Sequence, residues 1–77
     1  GVTLEAIKKA EDSDDIIIRI VERHGCRIKG KICFDRPLKR VAECDLMEHN
    51  NEPCNSEGKV LNFVISPYEI KTFRINF

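Results

Sequence analysis

The segment that most constrains the fold is residues 16–23, whose sequence is IIIRIVER. Its β-branched residues favour an extended backbone. In a strand, the even-numbered isoleucines would share one face, and Ile17 and Val21 would lie on the other. Because both faces are partly apolar, we expect this strand to lie in the middle of a sheet that is covered on part of each side.

The segment before it, residues 2–9, also alternates apolar and polar residues and predicts a first strand. A short helix is the alternative, because LEAIKKAE is rich in helix formers. The polar residues 12–15 predict the turn between the first two strands.

After the isoleucine-rich segment, His24 and Gly25 predict a tight hairpin turn. Residues 26–34 would then form the return strand, with Cys26 and Ile28 facing inward. Gly30 takes an inward position in this strand, which indicates a bulge or a place where another side chain lies across the backbone.

Two more strands are predicted on either side of a polar interruption at residues 48–58. The first covers residues 38–47, with Ala42 and Cys44 inward and Val41 on the other face. The second covers residues 59–65, where alternation separates inward from outward side chains. Its inward residues are Leu61, Phe63 and Ile65.

The last twelve residues, SPYEIKTFRINF, predict a closing strand that begins after a turn at Pro67. Phe73, Ile75 and Phe77 share one face, and Ile70 is out of phase with them. This predicts either a bulge between Ile70 and Phe73 or a strand that changes neighbours there. About six strands joined by turns indicate an all-β fold, a small antiparallel β-sandwich forming a single domain over residues 1–77.

Composition narrows the function classes. The chain has 13 basic and 13 acidic residues and neither sign is clustered, so no nucleic-acid partner is expected. No apolar run is long enough to span a bilayer, so no membrane partner is expected either. A chain of 77 residues buries only about 60% of its unfolded surface, which argues against a self-contained enzyme.

The four cysteines lack the C-x-x-C spacing of zinc ribbons and redox motifs. We interpret them as free, reduced thiols, with Cys26 and Cys44 in the core and Cys54 as the most reactive, while a disulfide or metal site stays open. Free thiols are typical of a cytoplasmic protein. The two histidines fall at turns and are interpreted as solvated residues.

Four segments in order resemble the terminal β-domain of the α-mannosidases of glycoside hydrolase family 38. They are residues 2–25, the strand through VAECDLMEH, the Glu57-Gly58 turn with its apolar strand, and the closing SPYEIKTFRINF. The family's pieces are similar: an opening strand, an Arg- and Glu-containing strand before a Gly turn, a strand ending in Asp-Leu-Leu-Glu, and a Pro-aromatic-Glu-Ile-Lys-Thr strand. LEAIKKAE and CDLMEH are most similar to the cytosolic and bacterial branch.

The resemblance implies that catalysis lies elsewhere. Enzymes of this family are retaining hydrolases with a zinc ion and an aspartate nucleophile in an amino-terminal domain, and no residue here matches those motifs. We therefore expect no catalytic, cofactor-binding or metal residue in this chain, and zinc in the absent catalytic domain. Glu69 and Lys71 of the closing motif are interpreted as an exposed structural pair. Gly1 in place of an initiator Met indicates either processing or a fragment of something longer, and we favour the fragment. With the resemblance, we expect it to be the C-terminal fragment of a longer α-mannosidase.

The leading hypothesis is a non-catalytic domain that packs on the rest of the parent α-mannosidase and stabilises it. Its docking face would consist of apolar residues left over once the core is assigned. These are Ile17, Val21, Val41, Met47, Val60 and Val64.

Two alternatives stay open. A small carbohydrate-binding module would use Tyr68 as its sugar contact, although a chain with no Trp and one Tyr offers few stacking platforms. A free-standing interaction domain would suit the zero net charge but would leave the resemblance unexplained.

Overall fold

The computed structural model describes residues 1–45, 52–54 and 56–77, and the regular structure in these ranges is entirely β. All pairings between strands are antiparallel. The strands are β1 (Val2–Lys9), β2 (Ile16–Glu22), β3 (Ile28–Cys33), β4 (Arg40–Cys44), β5 (Glu52–Pro53), β6 (Ser56–Glu57), β7 (Val60–Ile65) and β8 (Ile70–Asn76). The predicted all-β sandwich is confirmed, and the loop predicted at residues 48–58 contains the two short strands β5 and β6.

The larger sheet has five strands in the order β1-β2-β8-β4-β5. β2 lies between β1 and β8, and its residues are buried on both faces, with Ile17 1% and Ile18 3% exposed. The prediction that this isoleucine-rich strand is interior is therefore confirmed. β1 is a strand along its whole length, so the helical alternative is excluded.

The smaller sheet has three strands in the order β3-β7-β6. The predicted hairpin between β2 and β3 is wrong, because β3 pairs with β7 in the other sheet. Both edges of β2 are already occupied by β1 and β8, so no edge is free to receive β3. Gly25 does take the predicted positive φ, at 77°, but its turn carries the chain from one sheet to the other.

The core lies between the two sheets. Phe63 crosses the inner surface of β3 at Gly30, where an added Cβ would lie 2.8 Å from Cζ of Phe63. Of the two readings of Gly30, the close approach of another side chain is the one observed. The fully enclosed members of the core are Ile18, Ile20, Val41, Leu61, Ile65, Phe73 and Ile75.

The prediction of a bulge, or of a change of neighbours, between Ile70 and Phe73 is wrong. β8 runs beside β2 without a register shift, and the irregularity lies in β1, between Leu4 and Ala6. Ile70 is out of phase because it lies on the outer face of the sheet, where it is 46% exposed.

The inward residues predicted for the fourth strand are also wrong. Val41 lies opposite Ile75 and belongs to the core, so Ala42 and Cys44 lie on the outer face. Val41 and Cys44 are both buried although they lie on opposite faces, and for this reason alternation alone did not identify the inner one. Residues 46 and 47 of the predicted strand lie outside the described residues.

Candidate functional site

One edge of the sandwich is covered by the chain itself. β5 pairs with β4 in the larger sheet, β6 pairs with β7 in the smaller one, and the chain passes between the sheets at Cys54, which packs against the core. Beneath this crossing, Lys71 Nζ lies 3.0 Å from Oε1 of Glu43. Together with Phe63 and Phe73, Cys54 and the ion pair line a depression at this edge, and Phe73 beneath it is 1% exposed.

The opposite edge, formed by β1 and β3, is open. Leu4 and Ile7 of β1 lie opposite Ile20 and Ile18 and so face the same side as the core, yet they are 52% and 62% exposed. No described strand of the smaller sheet covers them, because that sheet has three strands against five. We call the apolar depression between β1 and β3 the open groove. It is lined by Val2, Leu4, Ile7, Ile18, Ile20, Lys31, Ile32, Cys33, Phe34 and Phe63.

Lys31 of β3 borders this groove, whereas Lys29 and Arg27, the latter just before β3, lie beside Val64 outside it. Arg27, Lys29 and Lys31 are exposed, and none of them forms an ion pair with any of the described residues. Exposed lysines on an edge strand also discourage pairing with other chains. The arrangement offers apolar contact in the groove and one positive charge on its rim, at Lys31, which has no ion-pair partner among the described residues.

Glu22, at the end of β2, holds the turn that leads into β3. Its carboxylate accepts backbone N–H groups from His24, Gly25, Cys26 and Tyr68 at 2.7–3.1 Å. Burial acts to raise the pKa of Glu22, but these four donors outweigh it and lower the pKa to about 2. Glu22 is therefore ionised at neutral pH and serves as a structural acceptor that fixes β3 relative to β2.

Tyr68, the predicted sugar contact, lies beside this turn and is 69% exposed. Its φ of 59° is unusual for a residue with a side chain and directs its N–H to Glu22. The ring lies over Gly25, where an added Cβ would be 2.7 Å from the hydroxyl oxygen. The ring is thus an exposed platform held in place by the turn.

The outer face of the larger sheet is covered in part by the turn between β1 and β2. Arg74 donates to Asp15 at 2.7 Å and to Ser13 at 2.9 Å, and it also pairs with Asp12. The hydrogen bond from Arg74 is the main cause that lowers the pKa of Asp15. Ile17 lies opposite Arg74 on this face, so its burial follows from the domain's own side chains.

The predicted docking face is divided by the structure. Ile17, Val21 and Val41 are buried inside this domain and so offer no exposed surface to a partner. Val60 is half-buried and Val64 is exposed, but their role in docking stays a prediction. Met47 lies outside the described residues.

None of the four cysteines forms a disulfide. Cys44 is buried as predicted, whereas Cys26 is exposed because the turn held by Glu22 places it outside the core. Burial raises the pKa of Cys54, which lowers its thiolate fraction and works against the predicted reactivity. Among the described residues, no group of three His, Cys, Asp or Glu side chains could hold a metal ion.

The predicted pair of Glu69 and Lys71 is not formed. Lys71 pairs with Glu43 on the inner face, and Glu69 accepts the backbone N–H of Ser66 at 2.9 Å. Within the part of the chain that the structure describes, no helix has the length and hydropathy needed to cross a bilayer.

Sequence reasoning missed Leu4, Ile7 and Glu22. The alternation in residues 2–9 placed Leu4 on an apolar face, but it could not show that the facing sheet stops short of β1. Glu22 follows an apolar run and looks like the solvated end of a strand. The turn at His24 and Gly25 was the available signal, since its backbone N–H groups need acceptors.

Comparisons with known proteins agree on one relationship. A family model described as the glycosyl hydrolases family 38 C-terminal beta sandwich domain matches residues 1–73. The chain is also 32% identical over 81 residues to a Dictyostelium discoideum protein named alpha-mannosidase G, in a match covering 96% of this chain and 7% of that protein. The chain thus spans a small fraction of the length of the curated relative it matches. No solved structure matches it.

Proposed function

The chain belongs to the family of C-terminal β-sandwich domains of glycosyl hydrolase family 38, and from this premise we propose that it is a non-catalytic part of an α-mannosidase. In this proposal it docks through its open groove onto the remainder of its own polypeptide and stabilises it. The match to 7% of alpha-mannosidase G supports a longer parent chain.

The observation that carries the docking role is the exposure of Leu4 and Ile7 on the core side of β1. Fully burying a side chain of this size contributes roughly 1.5–3 kcal/mol. Because Leu4 and Ile7 are still 52% and 62% exposed, a partner surface that covered them would gain somewhat more than half of that for each. Scattered apolar residues on a surface are common, but a groove continuous with the core is typical of an interaction site.

The chemistry is assigned to the parent polypeptide. We propose that the parent hydrolyses terminal α-mannosidic bonds with retention, using a zinc ion and a nucleophile located outside these 77 residues. A retaining mechanism needs two carboxyl groups about 5–5.5 Å apart around the scissile bond. We also propose a cytoplasmic location, which the free thiols of exposed Cys26 and Cys33 support.

The docking proposal is tested in the full polypeptide with the double variant Leu4→Asp/Ile7→Asp. Charges in the groove cannot be buried without a large cost, so we expect a lower thermal midpoint for the whole protein and faster proteolysis at the domain junction. The matched control is Ile70→Asp, because Ile70 is an exposed apolar residue on the outer face. This variant should leave the thermal midpoint and the rate of proteolysis unchanged. If the double variant and Ile70→Asp changed the thermal midpoint and the rate of proteolysis equally, docking through the groove would be refuted.

A carbohydrate-binding role is the second candidate, and the orientation of Tyr68 over Gly25 is the observation that favours it. Aromatic rings held rigidly on a surface can stack on sugars. An amide NMR titration of the chain with mannose and a short manno-oligosaccharide tests this role. Saturable shifts around Tyr68 that disappear in Tyr68→Ala would establish sugar binding, and an unmoved spectrum at millimolar sugar would reject it.

A further inference from the structure

We propose that the remainder of the polypeptide supplies an extended strand that pairs with the free edge of β3 and closes the open groove. This inference rests on the proposed docking function and specifies what occupies the groove. The occupant would be the fourth strand of the smaller sheet.

The mismatch between the two sheets gives the position of this strand. Strands in a sheet lie about 4.8 Å apart and packed sheets about 10 Å apart, so each strand of one sheet faces roughly one strand of the other. Ile32 and Phe34, in and just after β3, share the groove with Ile18 and Ile20 of β2. The next position beyond β3 therefore lies over β1, where Leu4 and Ile7 are uncovered.

The backbone of β3 is suitably oriented to accept a neighbour. The N–H of Phe34 donates to the carbonyl oxygen of Lys59 at 2.8 Å, which identifies a hydrogen-bonded pair one position beyond the β3–β7 register. Hydrogen-bonded and non-hydrogen-bonded pairs alternate along an antiparallel ladder. The backbone groups of Lys29, Lys31 and Cys33 consequently point away from β7, toward the free edge.

The side chains define the chemistry of the partner strand. Its inward residues would contact Leu4, Ile7 and Ile32, so they should be apolar. Its outward residues would lie across from Lys29 and Lys31, whose charges are unpaired among the described residues. Opposite charges on neighbouring strands stabilise a sheet, so the strand should alternate apolar residues with Asp or Glu.

A second copy of this chain is a poorer occupant. Two β3 strands paired about a twofold axis would bring Lys29 and Lys31 of one copy against the same residues of the other, and like charges on facing strands are destabilising. A strand on the same polypeptide is also present at an effective concentration of about millimolar or higher. The match to 7% of alpha-mannosidase G leaves ample chain to provide it.

Residue-resolved hydrogen exchange of the full polypeptide tests the proposal. We expect the amides of Lys29, Lys31 and Cys33 to exchange roughly 100-fold or more slowly than in an unstructured peptide, independent of protein concentration. Lys31→Pro removes one edge N–H without touching the ladder to β7, and should lower the protection at Lys29 and Cys33. Lys31→Thr removes the same charge but keeps the N–H, so it should preserve that protection.

The outcomes separate the two proposals. Fast exchange at the three amides, with Leu4→Asp/Ile7→Asp still lowering the thermal midpoint, would overturn the added strand and leave docking intact. If the three amides exchanged fast and Leu4→Asp/Ile7→Asp left the thermal midpoint unchanged, both the added strand and docking through the groove would be overturned. Protection that appears only as concentration rises and the protein dimerises would assign the edge to a second copy and likewise overturn this inference.

Discussion

The two edges of the sandwich differ in how they are covered. At the β5–β6 edge the chain crosses from one sheet to the other, Cys54 packs on the core, and Lys71 pairs with Glu43. At the β1–β3 edge the larger sheet extends past the smaller one and leaves Leu4 and Ile7 exposed.

The difference indicates where stability and function reside. The core residues between the two sheets, such as Phe73 and Ile75, should determine whether the domain folds, because these 77 residues bury them completely. The exposed groove residues Leu4 and Ile7 should matter little to the isolated domain and much to its attachment.

The largest effect is expected for Phe73→Ala in the enclosed core. Phe73 is 1% exposed, and removing a buried Phe side chain typically lowers the free energy of unfolding by about 3–5 kcal/mol. Ile7→Ala, in the open groove, should change it by about 0.5 kcal/mol or less in the 77-residue chain. Urea titrations of both variants would measure this, and similar losses would remove the distinction between the two regions.

The next effect concerns Glu22, which anchors the open edge to β2. Its pKa in the folded state is about 2, below the ordinary value of 4.5, so its stabilisation is complete above about pH 4.5 and is lost as the pH falls toward 2. Glu22→Gln should be less stable at pH 7 and should show a weaker dependence on pH in this range. Glu57→Gln, exposed in β6, is the control. Parallel pH profiles for wild type and Glu22→Gln would contradict the role of the carboxylate.

A smaller effect is expected at Gly30, on the inner surface of β3. An added Cβ would lie 2.8 Å from Phe63, so Gly30→Ala must displace the ring and should cost about 1–3 kcal/mol. Gly1→Ala meets its nearest neighbour at 3.5 Å, an ordinary contact, and should be neutral. Calorimetry of both variants checks this; a stable Gly30→Ala would mean that the core near the groove yields easily.

The smallest effect is expected for the ion pair beneath the closed edge. A double-mutant cycle with Lys71→Met and Glu43→Gln should give a coupling energy of at most about 1 kcal/mol, reduced by salt, because Glu43 is only partly buried. A coupling that exceeds this range, or that salt leaves unchanged, would show that the pair contributes more to closing this edge than its exposure implies.

Much of the fold was predictable because the strands carry local signals. The isoleucines of β2, the alternation in β7 and the turn glycine Gly25 are properties of neighbouring residues, and each was identified correctly. Pairing between strands is not local. The sequence of β3 is compatible with a hairpin onto β2, and only the occupation of both β2 edges directs it to the second sheet.

The candidate site was less predictable for the same reason. Ile17 and Val21 looked like spare apolar residues, but the turn held by Arg74 and the strands around β2 enclose them. Strict alternation would put Leu4 and Ile7 on opposite faces of β1, and the irregularity between Leu4 and Ala6 brings both to the core side. Their exposure depends on the number of strands in the opposite sheet, which no local pattern encodes.

The central claim is that the rest of the polypeptide covers the open groove, and carbene footprinting of the full protein tests it most directly. Leu4 and Ile7 are more exposed in this domain than Ile70, so an uncovered groove would label them at least as strongly as Ile70. We predict labelling at Leu4 and Ile7 well below that at Ile70. Labelling of all three in proportion to their exposure in the domain would contradict the account.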